Sequence, residues 1–96
     1  MKILLCEDDE ICQGPIKTFS KRFGLELDVA NNGKEGVDFA SKNYYDLILM
    51  DIYMPEMNGY EATESIRNLP EGSKFKIVAL SGGKIFFTKI YVLRKY

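Results

Sequence analysis

The chain has 96 residues, 46% apolar and 28% charged, with 13 basic against 14 acidic side chains. This allows one small globular domain, argues against wholesale disorder, and leaves no apolar run near the ~18 residues of a membrane span. With no His and only two cysteines, Cys6 and Cys12, a Cys/His zinc site and a His-based triad are excluded.

The charge is unevenly placed. Residues 1–83 carry all 14 acids and nine basic side chains, whereas residues 84–96 carry Lys84, Lys89, Arg94 and Lys95 and no acid. An acidic body is a poor partner for nucleic acid. Met1–Cys6 runs at once into Glu7-Asp8-Asp9-Glu10, too soon for a signal peptide. A cytoplasmic chain with reduced thiols is the expectation, with Cys6 buried in an apolar run.

Lys2–Cys6 reads as a strand buried on both faces. Ile16, Phe19, Ser20 and Phe23 recur at helical spacing, Gly24 closes that helix, and Pro15 belongs in its first turn. Leu25–Ala30 alternates as a second strand, and Asn31-Asn32-Gly33 is a loop. Lys34–Lys42 is a short helix with Val37, Phe39 and Ala40 available for burial. Tyr45–Met50 is a third strand ending at Asp51, followed by a loop with Pro55 and Gly59. Tyr60–Leu69 is a helix with Ala62, Ile66 and Leu69 inward, broken by Pro70-Glu71-Gly72-Ser73. Phe75–Leu80 is a fourth strand ending at Ser81. The aromatic residues Phe19, Phe23, Phe39, Tyr44 and Tyr45 read as core or edge packing.

This β-α-β-α-β-α-β order implies right-handed crossovers and a parallel sheet with helices on both faces. Ligands of such sheets bind at the carboxyl ends of the strands, where strand order reverses. The first strand ends at Glu7-Asp8-Asp9, the third at Asp51 and the fourth at Ser81. If the first and third strands are neighbours, three carboxylates converge. They stay ionised together only around a cation, or one of them keeps its proton. Oxygen-only ligands favour Mg²⁺. Each residue also has a plain structural use: Asp8, Asp9 and Glu10 would favour a helix N-terminus, and Asp51 and Ser81 would cap turns. The joint spacing, 43 residues from Asp8 to Asp51 and 30 from Asp51 to Ser81, favours the pocket.

Across residues 2–83 the chain resembles the receiver domain of two-component response regulators, most nearly the receivers of hybrid histidine kinases. Ile3–Ile11 is similar to that family's first strand and acidic pair, Tyr45–Glu61 to its phosphoacceptor segment, and Ile77–Ser81 to its fourth strand with a switch hydroxyl. Where those receivers usually read Asn-Glu-Ile-Asn, this chain reads Asp9-Glu10-Ile11-Cys12. The resemblance implies a flavodoxin-like α/β sheet of strand order 2-1-3-4. It implies that Asp51 takes a phosphoryl group from a phosphohistidine and that Mg²⁺ sits on Glu7, Asp8, Asp51 and the backbone carbonyl of Tyr53. It also implies that Ser81 bonds the phosphoryl oxygen. The partners implied are a histidine kinase or a histidine phosphotransfer protein, with no nucleic acid and no membrane.

A complete receiver has five strands and five helices, with a Lys after the fifth strand. Here 15 residues follow Ser81, and the last helix, strand and helix do not all fit. Residues 1–83 therefore read as receiver-like and 84–96 as an atypical tail, shortened or frame-shifted. Lys89 loosely matches the family's Lys but comes eight residues after Ser81, too soon for a parallel crossover. Residues 85–93 fit an antiparallel edge strand, a helix, or a segment exchanged with a second molecule. Their β-branched and aromatic residues favour the strand. An incomplete C-terminal side predicts self-association. The reading is a non-enzymatic Mg²⁺-dependent phosphoacceptor; the alternative is a phosphorylation-incompetent interaction module. The Leu80-Ser81-Gly82-Gly83 likeness to a transporter signature stands without a Walker A sequence. A dehalogenase-like phosphatase would want an Asp where Tyr53 stands.

Overall fold

The structure is a computed structural model that describes residues 1–80 and the backbone of Ile90–Leu93. In chain order the elements are β1 (Lys2–Cys6), α1 (Glu10–Arg22), β2 (Glu26–Ala30), α2 (Gly33–Lys42), β3 (Leu47–Asp51), α3 (Gly59–Arg67), β4 (Ile77–Leu80) and β5 (Ile90–Leu93). A single 3-10 turn, Gly72–Lys74, leads into β4.

The sheet order is β2-β1-β3-β4-β5. The first four strands are parallel, as expected, and β5 runs antiparallel along β4 with Leu80 opposite Ile90. The antiparallel edge is thus the form the described part of the tail takes. A parallel strand would need a longer connection.

The crossover from β1 to β2 runs one way along the sheet, and those from β2 to β3 and β3 to β4 run the other. With right-handed crossovers this places α1 on one face and α2 and α3 on the opposite one. The α2/α3 face holds the main core: Leu4, Cys6, Ala30, Tyr45, Ile48, Met50, Ala62, Ile66, Ile77 and Ala79 are all buried there. Each fully buried aliphatic side chain contributes roughly 1.5–3 kcal/mol. Val37, Phe39 and Leu69 pack against this cluster half-buried, and Ala62 and Ile66 point inward as predicted. Gly36 brings α2 onto β1: a Cβ there would lie 2.6 Å from Cys6 Sγ. Cys6 is buried and free, and burial pushes its thiol up to about 12.

Three expectations are corrected. Helix α1 begins at Glu10, so Pro15 lies in its second turn. The Asp9 side chain caps the earlier start, accepting from the Ile11 N–H at 2.8 Å. The bond that Pro15 cannot make would have gone to the carbonyl of Ile11, an exposed residue that water can reach. The buried face of α1 is Gln13 and Ser20 rather than the Phe19/Phe23 side. Phe19 and Phe23 are 56% and 60% exposed and meet each other at a tilt, and Tyr44 is exposed and stacked on Phe75; of the aromatics read as packing, Tyr45 is fully buried. Strand β3 is shifted to Leu47–Asp51, because Tyr45 and Asp46 have other partners. Tyr45 donates its hydroxyl to Asp28 at 2.5 Å, and Asp46 accepts the Lys2 N–H at 2.7 Å.

Gly24 ends α1 as predicted, with φ +67°. The Leu25 N–H returns to the Ser20 carbonyl at 2.8 Å, and the Gly24 N–H to that of Lys21.

Candidate metal centre

The site is built at the point where strand order reverses. β1 and β3 are neighbours, and Cys6 pairs with Met50, so the next residues, Glu7 and Asp51, stand side by side at the ends of the two strands. Glu7 adds one more bond to β2, from its N–H to the Ala30 carbonyl at 3.0 Å. Both carboxylates are buried, each 2% exposed, and Asp8 beside them is exposed. One oxygen from each of Glu7, Asp8 and Asp51 lies within 4.8 Å of the others. The convergence expected from strand order is therefore present.

Asp9 does not join them, because its side chain caps α1. The two uses weighed for the acidic run are thus divided: Glu7 and Asp8 at the pocket, Asp9 on the helix. The Asp9 N–H in turn holds Glu7 Oε2 at 3.2 Å.

The loop after β3 is tightly specified. The Ile52 N–H bonds the Leu80 carbonyl at 3.2 Å, and Ile52 and Met54 are buried as anchors. The Tyr53 N–H donates to Asp51 Oδ1 at 3.2 Å, fixing that carboxylate, while the Tyr53 side chain is exposed. Glu56 takes a left-handed φ of 68° to turn the chain. Asn58 and Glu61 then form a reciprocal capping box on α3. Gly59 donates to the Ile52 carbonyl at 2.9 Å, and a Cβ there would meet the Asp51 carbonyl oxygen and lie 2.8 Å from Ile52 Cα. A side chain at position 59 would therefore displace the backbone that carries Asp51.

The electrostatics follow from crowding. Burial, then the hydrogen bond and repulsion from Asp51, push the Glu7 carboxyl up to about 8. Burial also raises Asp51, against the hydrogen bonds from Glu7 and the Tyr53 N–H that lower it. The cation-free pair thus holds a shared proton near neutrality. Cys12 is half-buried beside this pocket; burial, then the carboxylates of Glu7, Asp9 and Asp51, raise its thiol. Three hard oxygen donors crowded enough to retain a proton fit a divalent cation, which would displace it.

Ser81 and Lys89 lie outside the described residues; Asp51 pairs with Leu80, the residue before Ser81. Sequence reading missed Gln13. It is 1% exposed, and its Nε2 donates to the Glu7 carbonyl at 2.6 Å and to Asn31 Oδ1 at 2.9 Å. The signal was the spacing 13, 16, 20 from a cap at Asp9, which marks the buried face of α1.

The family model described as response regulator receiver domain matches residues 3–94. Hybrid signal transduction histidine kinase B of Dictyostelium discoideum is 49% identical over 75 residues, covering 75% of this chain and 4% of that protein. Histidine kinase 5 of Arabidopsis thaliana is 38% identical over 81 residues, covering 84% of this chain and 9% of its own length. The chain thus spans less than a tenth of these two relatives. Among solved structures, the receiver domain of a sensor histidine kinase from Pseudomonas aeruginosa PAO1 superposes with a TM-score of 0.78 at 35% identity. The match covers 81% of this chain and 64% of that one, which has a magnesium ion coordinated in its active site cleft. A response regulator from Thermotoga maritima in complex with Mg(2+)-BeF superposes with a TM-score of 0.74 at 31% identity, over 83% of this chain and 68% of that one.

Proposed function

The chain belongs to the response regulator receiver domain family, and on that premise we propose that it is a Mg²⁺-dependent phosphoacceptor in which Asp51 takes a phosphoryl group from a phosphohistidine. The observation that carries the reading is the convergence of Glu7, Asp8 and Asp51 within 4.8 Å at the end of β1 and β3. The bound magnesium of the Pseudomonas neighbour supports the choice of cation.

Glu7, Asp8, Asp51 and the Tyr53 carbonyl would hold the ion. Mg²⁺, when bound, would offset the charge that builds on the equatorial phosphoryl oxygens. The chain's own part is positional. The Tyr53 N–H holds Asp51 Oδ1 and so fixes the rotation of the nucleophile. An Asp51 carboxylate oxygen forms the new O–P bond as the P–N bond breaks, and the electron pair of that bond returns to the donor imidazole. Ser81 would bond a phosphoryl oxygen of the product. Phosphorylation adds charge at the strand end that the Ile52–Asn58 loop leaves.

The donor in this reading is a histidine kinase or a histidine phosphotransfer protein, in the cytoplasm, and the chain is a signalling acceptor without substrate turnover. No described helix is long and apolar enough to cross a membrane. Self-association through the C-terminal side belongs to the same proposal; a single monomeric species in sedimentation velocity at high concentration contradicts it.

The test is an amide spectrum recorded with Mg²⁺ and beryllofluoride. Saturable shifts around Asp51 and Gly59 with Mg²⁺ alone are expected, and a further, larger set that appears only when beryllofluoride is added together with Mg²⁺. No further shift when beryllofluoride is added with Mg²⁺ would favour a phosphorylation-incompetent interaction module.

A further inference from the structure

Beyond the carboxylates, one side chain is buried for a reason the helix does not supply. Gln13 is 1% exposed, and a buried amide is costly unless its polar atoms are bonded. Its Nε2 makes no bond within α1. It reaches 2.6 Å to the Glu7 carbonyl and 2.9 Å to Asn31 Oδ1. The Glu7 carbonyl only accepts, so it fixes which end of the amide faces it.

The backbone shows why this bond is needed. The Glu7 N–H makes the last ladder bond to β2, on the Ala30 carbonyl. After Ala30 the β2 chain turns away into Asn31-Asn32, so no strand partner follows for the Glu7 carbonyl. Gln13 supplies that bond from α1. It then ties the same point to Asn31, whose N–H donates to Glu35 Oε1 in the first turn of α2. A continuous path thus joins Glu7, α1, the β2–α2 loop and α2.

We propose that Gln13 is the positioning residue of the cation pocket, clamping the Glu7 backbone so that its carboxylate already faces Asp51 when the cation arrives. This rests on reading the pocket as a divalent-cation site. Gln13 touches neither ion nor phosphoryl group; it acts through Glu7, as outer partners of metal ligands do.

The test pairs Gln13→Met, which keeps bulk and removes the donor, with the wild type. Without metal, amide exchange at Glu7 and Asp9 should quicken about tenfold in the variant, one hydrogen bond's worth. The β4 amides Ile77–Leu80 should keep their rates. Calorimetric titration with MgCl₂ should show affinity weakened about tenfold. An Ile66→Val control of similar stability loss should leave Mg²⁺ affinity unchanged. Equal acceleration at Glu7, Asp9 and β4, or none, overturns the clamp. If the wild type fails to bind Mg²⁺, the cation reading falls, while the metal-free exchange still decides whether Gln13 holds Glu7. If Gln13→Met does not fold, the wild-type Gln13 side-chain amide protons decide. Slow exchange and a shift on adding MgCl₂ support the clamp; fast, free-amide behaviour overturns it.

Discussion

Asp8 and Asp9 are adjacent, yet Asp9 turns its carboxylate to the α1 N-terminus while Asp8 stays with the pocket. Which acid does which is decided by where the chain leaves the sheet, and the one-letter string does not carry that. The run of acids and Asp51 were legible because strand ends are where such residues are useful. Gln13 was not, because a polar residue inside a helix reads as solvated until the face of the helix is known. The titration of the pair gives two predictions. Glu7 carries its proton up to about 8 in the folded chain, against an ordinary value of 4.5. Folding therefore takes up a proton between those values, and cation-free stability falls as pH rises from about 4.5 to about 8. Thermal melts in chelator should show the midpoint dropping across that window, and saturating Mg²⁺ should flatten the drop. Because the cation displaces the proton, Mg²⁺ affinity should rise with pH over the same range, with proton release visible as buffer-dependent heat. Above about pH 8, where Glu7 has lost its proton, replacing Asp51 by Asn should remove the repulsion and stabilise the cation-free protein by about 1 kcal/mol in urea titration. A loss of stability would contradict that.

Elements were legible where apolar runs met clear punctuation. β1 was read to its exact bounds because Lys2–Cys6 stops at a block of acids, and the inward residues of α3 because Ala62 and Ile66 keep helical spacing. The errors have physical causes. Pro15 suggested a late helix start, but the Asp9 cap and an exposed Ile11 carbonyl make the second turn tolerable. Tyr45 looked like strand, but its hydroxyl is bound to Asp28 and only Leu47 begins the ladder. The start of α3 offers a sharp test. Gly59→Ala places a methyl group against the Asp51 and Ile52 backbone. It should cost about 2 kcal/mol and also weaken Mg²⁺ binding. Asn58→Ala, which removes the cap without moving Asp51, should cost about 1 kcal/mol and leave Mg²⁺ affinity near wild type. Chemical denaturation and calorimetry on both variants separate the two effects.

At the scale of the molecule, the site exists because strand order reverses between β1 and β3, which carries residues 43 positions apart into one pocket. Alternation implied a parallel sheet with helices on both faces, and the order β2-β1-β3-β4 was implied by the resemblance to receiver domains. For the tail, the short connection excluded a parallel strand and the β-branched and aromatic residues favoured the antiparallel edge that Ile90–Leu93 forms. A pocket assembled from the ends of β1 and β3 and the loops that follow them should couple ligand and fold. At 100 times its dissociation constant, Mg²⁺ should raise stability by about 2.7 kcal/mol, and Asp8→Asn should remove most of that gain. The central claim is that Asp51 accepts a phosphoryl group with Mg²⁺. Its most direct measurement is the intact mass of the chain after incubation with a phosphohistidine donor protein. The account predicts a gain of one phosphoryl group that requires Mg²⁺, maps to Asp51 and is absent in Asp51→Asn. An unchanged mass with Mg²⁺ present, or a gain that survives Asp51→Asn, would contradict it.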